Sequence, residues 1–236
     1  MRIGLVAEVK WEVREVCRRL QLTRLDARDD VWGATLNGHL IRLCLSGMVP
    51  SVARERINRF LNADCPDVVI CSGLASTLRS DIKVGDVIVH SEDPSLLTVA
   101  ERALKEIDVP LHVGPLVTVT KPALTPAGRR DLAAKSGAIA VDMESQAIGF
   151  LCRHRGIPCL AMQGVFDGIE DDLSPILGGF DIIQIPRLAL RVLARPGSWP
   201  LATRLARHSY IATNNLGHGV WATLGQIGNS PPSRCS

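Results

Sequence analysis

Residues 137–167 constrain this chain more than any other stretch. They read GAIAVDMESQAIGFLCRHRGIPCLAMQGVFD. An apolar run over 138–141 ends in Asp142-Met143-Glu144-Ser145. A helical pattern follows, with Ile148, Leu151 and Cys152 at i, i+3, i+4 spacing, and Gly156 and Pro158 stop it. A second apolar run, 159–165, ends in Phe166-Asp167. Strand, helix and strand in succession predict an α/β layered sheet with buried strands. Two carboxylates, Glu144 and Asp167, then stand where strands end, which is where open α/β sheets bind ligands. The plainer reading of the same residues is structural: Glu144 favours a helix N-terminus and Asp167 caps the next element.

The same alternation runs through the preceding chain. Residues 3–7 read as a buried strand and 8–20 as a helix with Val9, Val13, Val16 and Leu20 on one face. Asn37-Gly38 between two apolar runs predicts a hairpin. A helix is expected over 49–61. A strand over 67–71 is expected to open into a small-residue loop, 72–77, whose N–H groups could approach an anion or a sugar. Further on, 87–90 and 111–120 read as strands, and 96–107 and 126–135 as helices. After Asp167 come an acidic, Gly- and Pro-containing loop over 168–179, a helix over 182–193 that Pro186 must either open or break, and a break at Arg195-Pro196-Gly197. An amphipathic helix is expected over 199–216 and a loose tail from Gly217 onward.

Composition narrows the function classes. With 46% hydrophobic residues in 236, a sizeable core can form. Only 4% are aromatic and the net charge is +3, which argues against nucleic-acid binding. The seven cysteines lack metal-ligand spacing and sit mostly in apolar runs, so reduced core thiols, no metal and a cytoplasmic setting are expected. No apolar run reaches about 18 residues, so no membrane span is expected.

Four segments together resemble a known family. They are Ile3-Gly4-Leu5-Val6-Ala7, the strand end at Ser46-Gly47, residues 67–89 (DVVICSGLASTLRSDIKVGDVIV) and residues 141–167 with Val141-Asp142-Met143-Glu144-Ser145. The chain is similar to the nucleoside phosphorylase and nucleosidase superfamily that includes methylthioadenosine/S-adenosylhomocysteine nucleosidase. Within it the likeness is greatest to hopanoid-associated phosphorylases. The Asp-Met-Glu-Ser reading, the short 89–121 segment and the 192–207 sequence carry that finer likeness.

The resemblance implies an α/β three-layer sandwich, with a central mixed sheet flanked by helices and a C-terminal helical extension. Residues 1–194 would form the main domain, 195–228 the extension and 229–236 a disordered tail. It implies cleavage of an N-glycosidic bond, by phosphorolysis of an adenosylhopane-type nucleoside with release of adenine. Hydrolysis of methylthioadenosine or S-adenosylhomocysteine is the alternative, and non-catalytic nucleoside binding is a third. Asp167 matches the aspartate that protonates the leaving purine, Glu144 the glutamate that holds the ribose hydroxyls, and Met143 packs on the sugar. Glu12 matches the nucleosidases' N-terminal glutamate, and Glu8 fits an alternative register equally well.

Gly73, Leu74, Ala75, Phe166, Ser46 and Gly47 complete the implied substrate site. Lys10, Ser46, Gly47 and Thr77 are the candidates for holding inorganic phosphate, the implied co-substrate; no cofactor is expected. The implied partners are a small nucleoside, further copies of the chain in a homodimer or larger ring, and a membrane surface touched by 199–216. Three places depart from the family's pattern. Ser76-Thr77 stand where it has two glycines, Gln163 stands where it has an arginine four residues before the aspartate, and Phe166 replaces a small polar neighbour of that aspartate. The second change removes a cation that would orient substrate or phosphate.

Overall fold

The computed structural model describes residues 1–26, 31–178 and 196–227. The helix expected over 182–193 and the tail beyond 228 lie outside the described residues. In chain order the elements are β1 (Arg2–Ala7), α1 (Arg14–Leu20), β2 (Thr23–Asp26), β3 (Val31–Leu36), β4 (His39–Leu45), α2 (Pro50–Asp64), β5 (Val68–Thr77), β6 (Val87–Ser91) and α3 (Pro94–Glu106). Then come β7 (Leu111–Val113), β8 (Leu116–Thr118), α4 (Pro126–Ser136), β9 (Ala140–Asp142), α5 (Ser145–Arg153), β10 (Cys159–Asp167), a single turn α6 (Ser174–Leu177) and the long α7 (Trp199–Ile227).

The strands form one mixed sheet in the order β2-β3-β4-β1-β5-β10-β6-β7, with β9 and β8 branching from the end of β5. Its centre is parallel: β4, β1, β5 and β10 run the same way. Their side chains alternate between two helical layers. On one face Ile3, Leu5, Ile70 and Met162 pack with Val16 of α1, Leu104 of α3 and Leu216, Val220 and Leu224 of α7. On the other, Val6, Val69 and Cys71 meet Phe60 and Leu61 of α2 and Ile148 and Cys152 of α5. This is the three-layer α/β sandwich, closed at its C-terminal end by a helix.

Several boundaries differ from the sequence reading. The first helix begins at Arg14 rather than Glu8; residues 8–13 form a turn that leaves Glu12 off the helix. Residues 72–77 are not an open loop but the second half of β5, paired with β10 and then β9. The reason is that β10 accompanies β5 as far as Ser76, and β9 takes the other edge at Ser76 and Thr77, beyond the end of β1. The 111–120 strand is two, broken at Gly114-Pro115, because β7 pairs with β6 and β8 with β9. Residues 217–227 continue α7, with Gly217, Gly219, Leu224 and Ile227 buried. Their glycines read as tail in the sequence, yet they serve close packing: a Cβ on Gly217 would lie 2.5 Å from Cβ of Glu15.

β10 meets α7 in the same way. A Cβ on Gly164 would stand 2.8 Å from the Ala212 carbonyl oxygen, a backbone atom with little freedom to move. Gly164→Ala is therefore expected to cost ~1–3 kcal/mol, seen as a lower urea midpoint with unchanged slope. An unchanged midpoint would show that the helix yields at this contact.

Candidate active site

The parallel strands deliver their C-terminal ends to one edge of the sheet, and the chemistry-bearing residues gather there. Asp167 is the last residue of β10. The register between β10 and β5 shifts at Phe166, so that Asp167 pairs with Ser76. Such a bulge re-aims the side chain that follows it. Asp167 has no solvent exposure. Its Oδ2 accepts a hydrogen bond from Nη2 of Arg129, a fully buried side chain on α4. Oδ1 has no hydrogen-bond partner among the described residues. Burial pushes the carboxyl up to about 6, against the pull of the Arg129 guanidinium and the Ser76 hydroxyl.

Arg129 has no counterpart in the sequence reading. Its Nη1 donates to the carbonyls of Gly168 (2.5 Å) and Asp171 (2.7 Å), fixing the loop that leaves β10. Nothing in the sequence distinguishes it from Arg130, which lies on the surface and pairs with Glu170. The cation beside the acid thus comes from α4. Gln163 is buried and acts elsewhere in the sheet, where its Nε2 donates to Oδ2 of Asp142 at 3.1 Å and joins β10 to β9.

A second acidic centre forms around Glu144, which follows β9 and stands at the N-terminus of α5. Asp142 holds this turn, accepting from the Thr118 hydroxyl (2.6 Å) and the Ser145 N–H. Glu144 lies directly over Gly73: a Cβ there would be 2.5 Å from Glu144 Oε1 and 2.9 Å from Gln163 Oε1. Only glycine leaves room for both oxygens. Oε2 of Glu144 is buried without a hydrogen-bond partner among the described residues. Burial, then the charges of Glu12, Glu8 and Asp142, hold its carboxyl well above the usual range. Glu12 is buried too, with Oε2 accepting from Val9 N–H at 3.2 Å. Burial and the neighbouring Glu8 raise it to about 8. Glu8 is itself raised by burial and by Asp142. Both glutamates therefore belong to the acidic cluster around Glu144, and Glu12 is the more buried.

The remaining candidates divide. Met143, 36% exposed, adjoins Glu144, and Phe166 is half-buried beside Asp167. Leu74 and Ala75 lie within the β5–β10 ladder, so their backbone groups serve the sheet. Ser46 is buried and donates to the Ala7 carbonyl at 3.3 Å, while Gly47 at φ +80 turns the chain and bonds the Glu8 carbonyl. Arg56 of α2 comes close here, with an Nη1 that a Cβ on Gly47 would meet at 3.3 Å. Lys10 instead holds its ammonium 3.7 Å from the centre of the Trp32 ring. The Thr77 hydroxyl is occupied in a turn with Arg79 and faces no open space. Among the described residues no group of three or more His, Cys, Asp or Glu is placed to hold a metal ion.

The fold is a nucleoside phosphorylase-like α/β sandwich, shared with solved nucleosidase structures. Residues 91–178, which carry Arg129, Glu144 and Asp167, match the family model of the Phosphorylase superfamily. Among solved structures, the chain is similar to the 5′-methylthioadenosine/S-adenosylhomocysteine nucleosidase of Neisseria meningitidis in complex with methylthio-immucillin-A. The TM-score is 0.76 at 17% identity, over 95% of this chain and 98% of that one. The nucleosidase of Colwellia psychrerythraea 34H in complex with adenine aligns with a TM-score of 0.75 at 18% identity, over 96% of both chains. Futalosine hydrolase of Helicobacter pylori strain 26695 aligns at 0.72 with 14% identity, over 93% of this chain and 97% of that one.

The raised carboxyls have a consequence for stability. The folded state holds protons that the unfolded chain releases: Glu12 titrates near 8 folded against 4.5 in its ordinary state. Stability is therefore greatest below pH 4.5 for this group and falls as pH rises toward 8. The urea midpoint is expected to drop between about pH 5 and 8, and Glu12→Gln to flatten that drop. A wild-type midpoint that rises over this range would overturn the assignment of Glu12 as a buried, proton-holding group.

Proposed function

We propose that the protein cleaves the N-glycosidic bond of a 5′-modified adenosine and releases adenine. The observation that carries this reading is the placement of two differently tuned acids at the ends of the two strands that flank β5. Asp167, held near neutrality and with one oxygen unoccupied, suits protonation of a departing purine nitrogen. Glu144, fixed above Gly73, suits acceptance of ribose hydroxyls as positive charge develops on the sugar. Met143 offers an apolar surface beside it.

The nucleophile we assign first is water, held by Glu12 or Glu8. Phosphate would approach a cluster already holding Glu8, Glu12, Asp142 and Glu144, and two of its proposed holders, Lys10 and Thr77, are engaged elsewhere. Phosphorolysis of an adenosylhopane-type substrate is the second reading. It is favoured by Arg56 beside Ser46-Gly47, which would bring a guanidinium to the sugar side. The exposed Trp199, Tyr210 and Arg207 of α7 would then meet the membrane holding such a substrate.

Methylthioadenosine, S-adenosylhomocysteine and an adenosylhopane, each with and without phosphate, separate these readings by the adenine they release. Adenine release that needs phosphate would assign phosphorolysis; release without it assigns hydrolysis. Asp167→Asn is expected to lower kcat by roughly 100-fold or more, the scale of a lost general acid. Full activity in that variant would remove Asp167 from the mechanism.

A further inference from the structure

Arg129 makes contacts that packing alone does not require. A buried guanidinium is costly unless its hydrogen bonds are met. Here Nη1 and Nη2 are met by Gly168, Asp171 and Asp167, while Nε is not. The three acceptors belong to the end of β10 and the loop after it. The loop is gripped from its other side as well: Asp171 Oδ1 pairs with Arg204 of α7 at 2.9 Å, and Asp171 Oδ2 accepts from the Gly168 N–H at 2.8 Å. A continuous set of polar contacts thus runs from α7 through Asp171 and Arg129 to Asp167.

We infer that Arg129 is a positioning residue for the reaction: it occupies Oδ2 of Asp167 and leaves Oδ1 as the one oxygen able to meet the leaving base. The inference rests on the reading of Asp167 as the general acid. The argument is geometric. A carboxylic acid with both oxygens free delivers its proton from either, and its plane can rotate. A guanidinium on one oxygen fixes the plane and the delivering atom, and pre-alignment of this kind lowers the barrier. The charges facing Asp167 are Arg129 from α4 and Asp171 from the loop, with opposite effects. Arg204 neutralises Asp171 from α7, and Asp172 faces Arg129 from solvent.

Opposite signs give the test its direction. A general acid works protonated, so activity falls as pH rises through the value of Asp167. Arg129→Gln removes the attraction for the carboxylate, and the alkaline limb of kcat is expected to move to higher pH. The kcat plateau is expected to fall about 10-fold through lost alignment, with KM little changed. Arg129→Lys keeps the charge and is expected to hold the limb near its wild-type pH. Asp171→Asn removes a repelling charge and is expected to move the limb to lower pH. The measurements are adenine release from methylthioadenosine across about pH 5–9 and, in parallel, ¹³C NMR titration of the aspartate carboxyls, with Asp167→Asn assigning the signal. A folded Arg129→Gln enzyme whose Asp167 titrates as in wild type overturns the inference. If that variant does not fold, Arg129→Lys decides instead: the ammonium keeps the charge but not the forked grip, and a kcat plateau equal to wild type overturns the inference. Wild-type protein that releases no adenine from any nucleoside overturns the reading of function, while the NMR shifts still decide the role of Arg129.

Discussion

A carboxyl group without solvent must find compensation, and the ion pair between Asp167 and Arg129 is where this fold supplies it. The pair joins α4 to the end of the central strand β10, and the remaining guanidinium bonds hold the loop beyond. Burial and the cation act in opposite directions on the same proton. The result is a group near the middle of the physiological range. Each effect alone would move it further: burial without the arginine raises it, and the arginine without burial lowers it.

The other acidic centre is built on a different principle. Glu144, Glu12, Glu8 and Asp142 repel one another, and the polar partners of Asp142 are neutral donors: Thr118, the Ser145 amide and Gln163. With no cation among those donors, the centre relieves its charge by retaining protons. The site therefore has one carboxyl tuned by a fixed charge and a group tuned by mutual exclusion. In the reaction proposed above, positive charge developing on the sugar would fall beside the second centre, and the proton for the leaving base would come from the first.

Much of this is legible in the sequence because it depends on periodicity. Apolar runs of strand length that end in Glu144 and Asp167 locate the edge of the sheet and both acids. What escapes depends on contacts between segments distant in sequence. Arg129 reads like any helix arginine beside Arg130, and only the approach of α4 to β10 separates a buried cation from a surface one. The small residues of 72–77 read as a loop because β-propensity does not register a second partner strand. The glycines from 217 onward read as tail because the same residue that loosens a chain also lets a helix lie against its neighbour. Glu12 is picked out by position alone, and its burial follows from a turn that no propensity rule marks.

The branching of β5 has a mechanical meaning. Ser76 is paired with Asp167 on one side and with Val141 on the other, so a single residue is shared by the strands that carry the two acids. The spacing between the acids is then set by one backbone ladder, in which each hydrogen bond fixes the next. Side chains in the helical layers can be exchanged, and helices can shift by fractions of their diameter, without stretching that ruler. A working separation of charges carried on main chain is insulated from drift in the core around it. That insulation fits a fold aligned across nearly its whole length with chains only 14–18% identical to it.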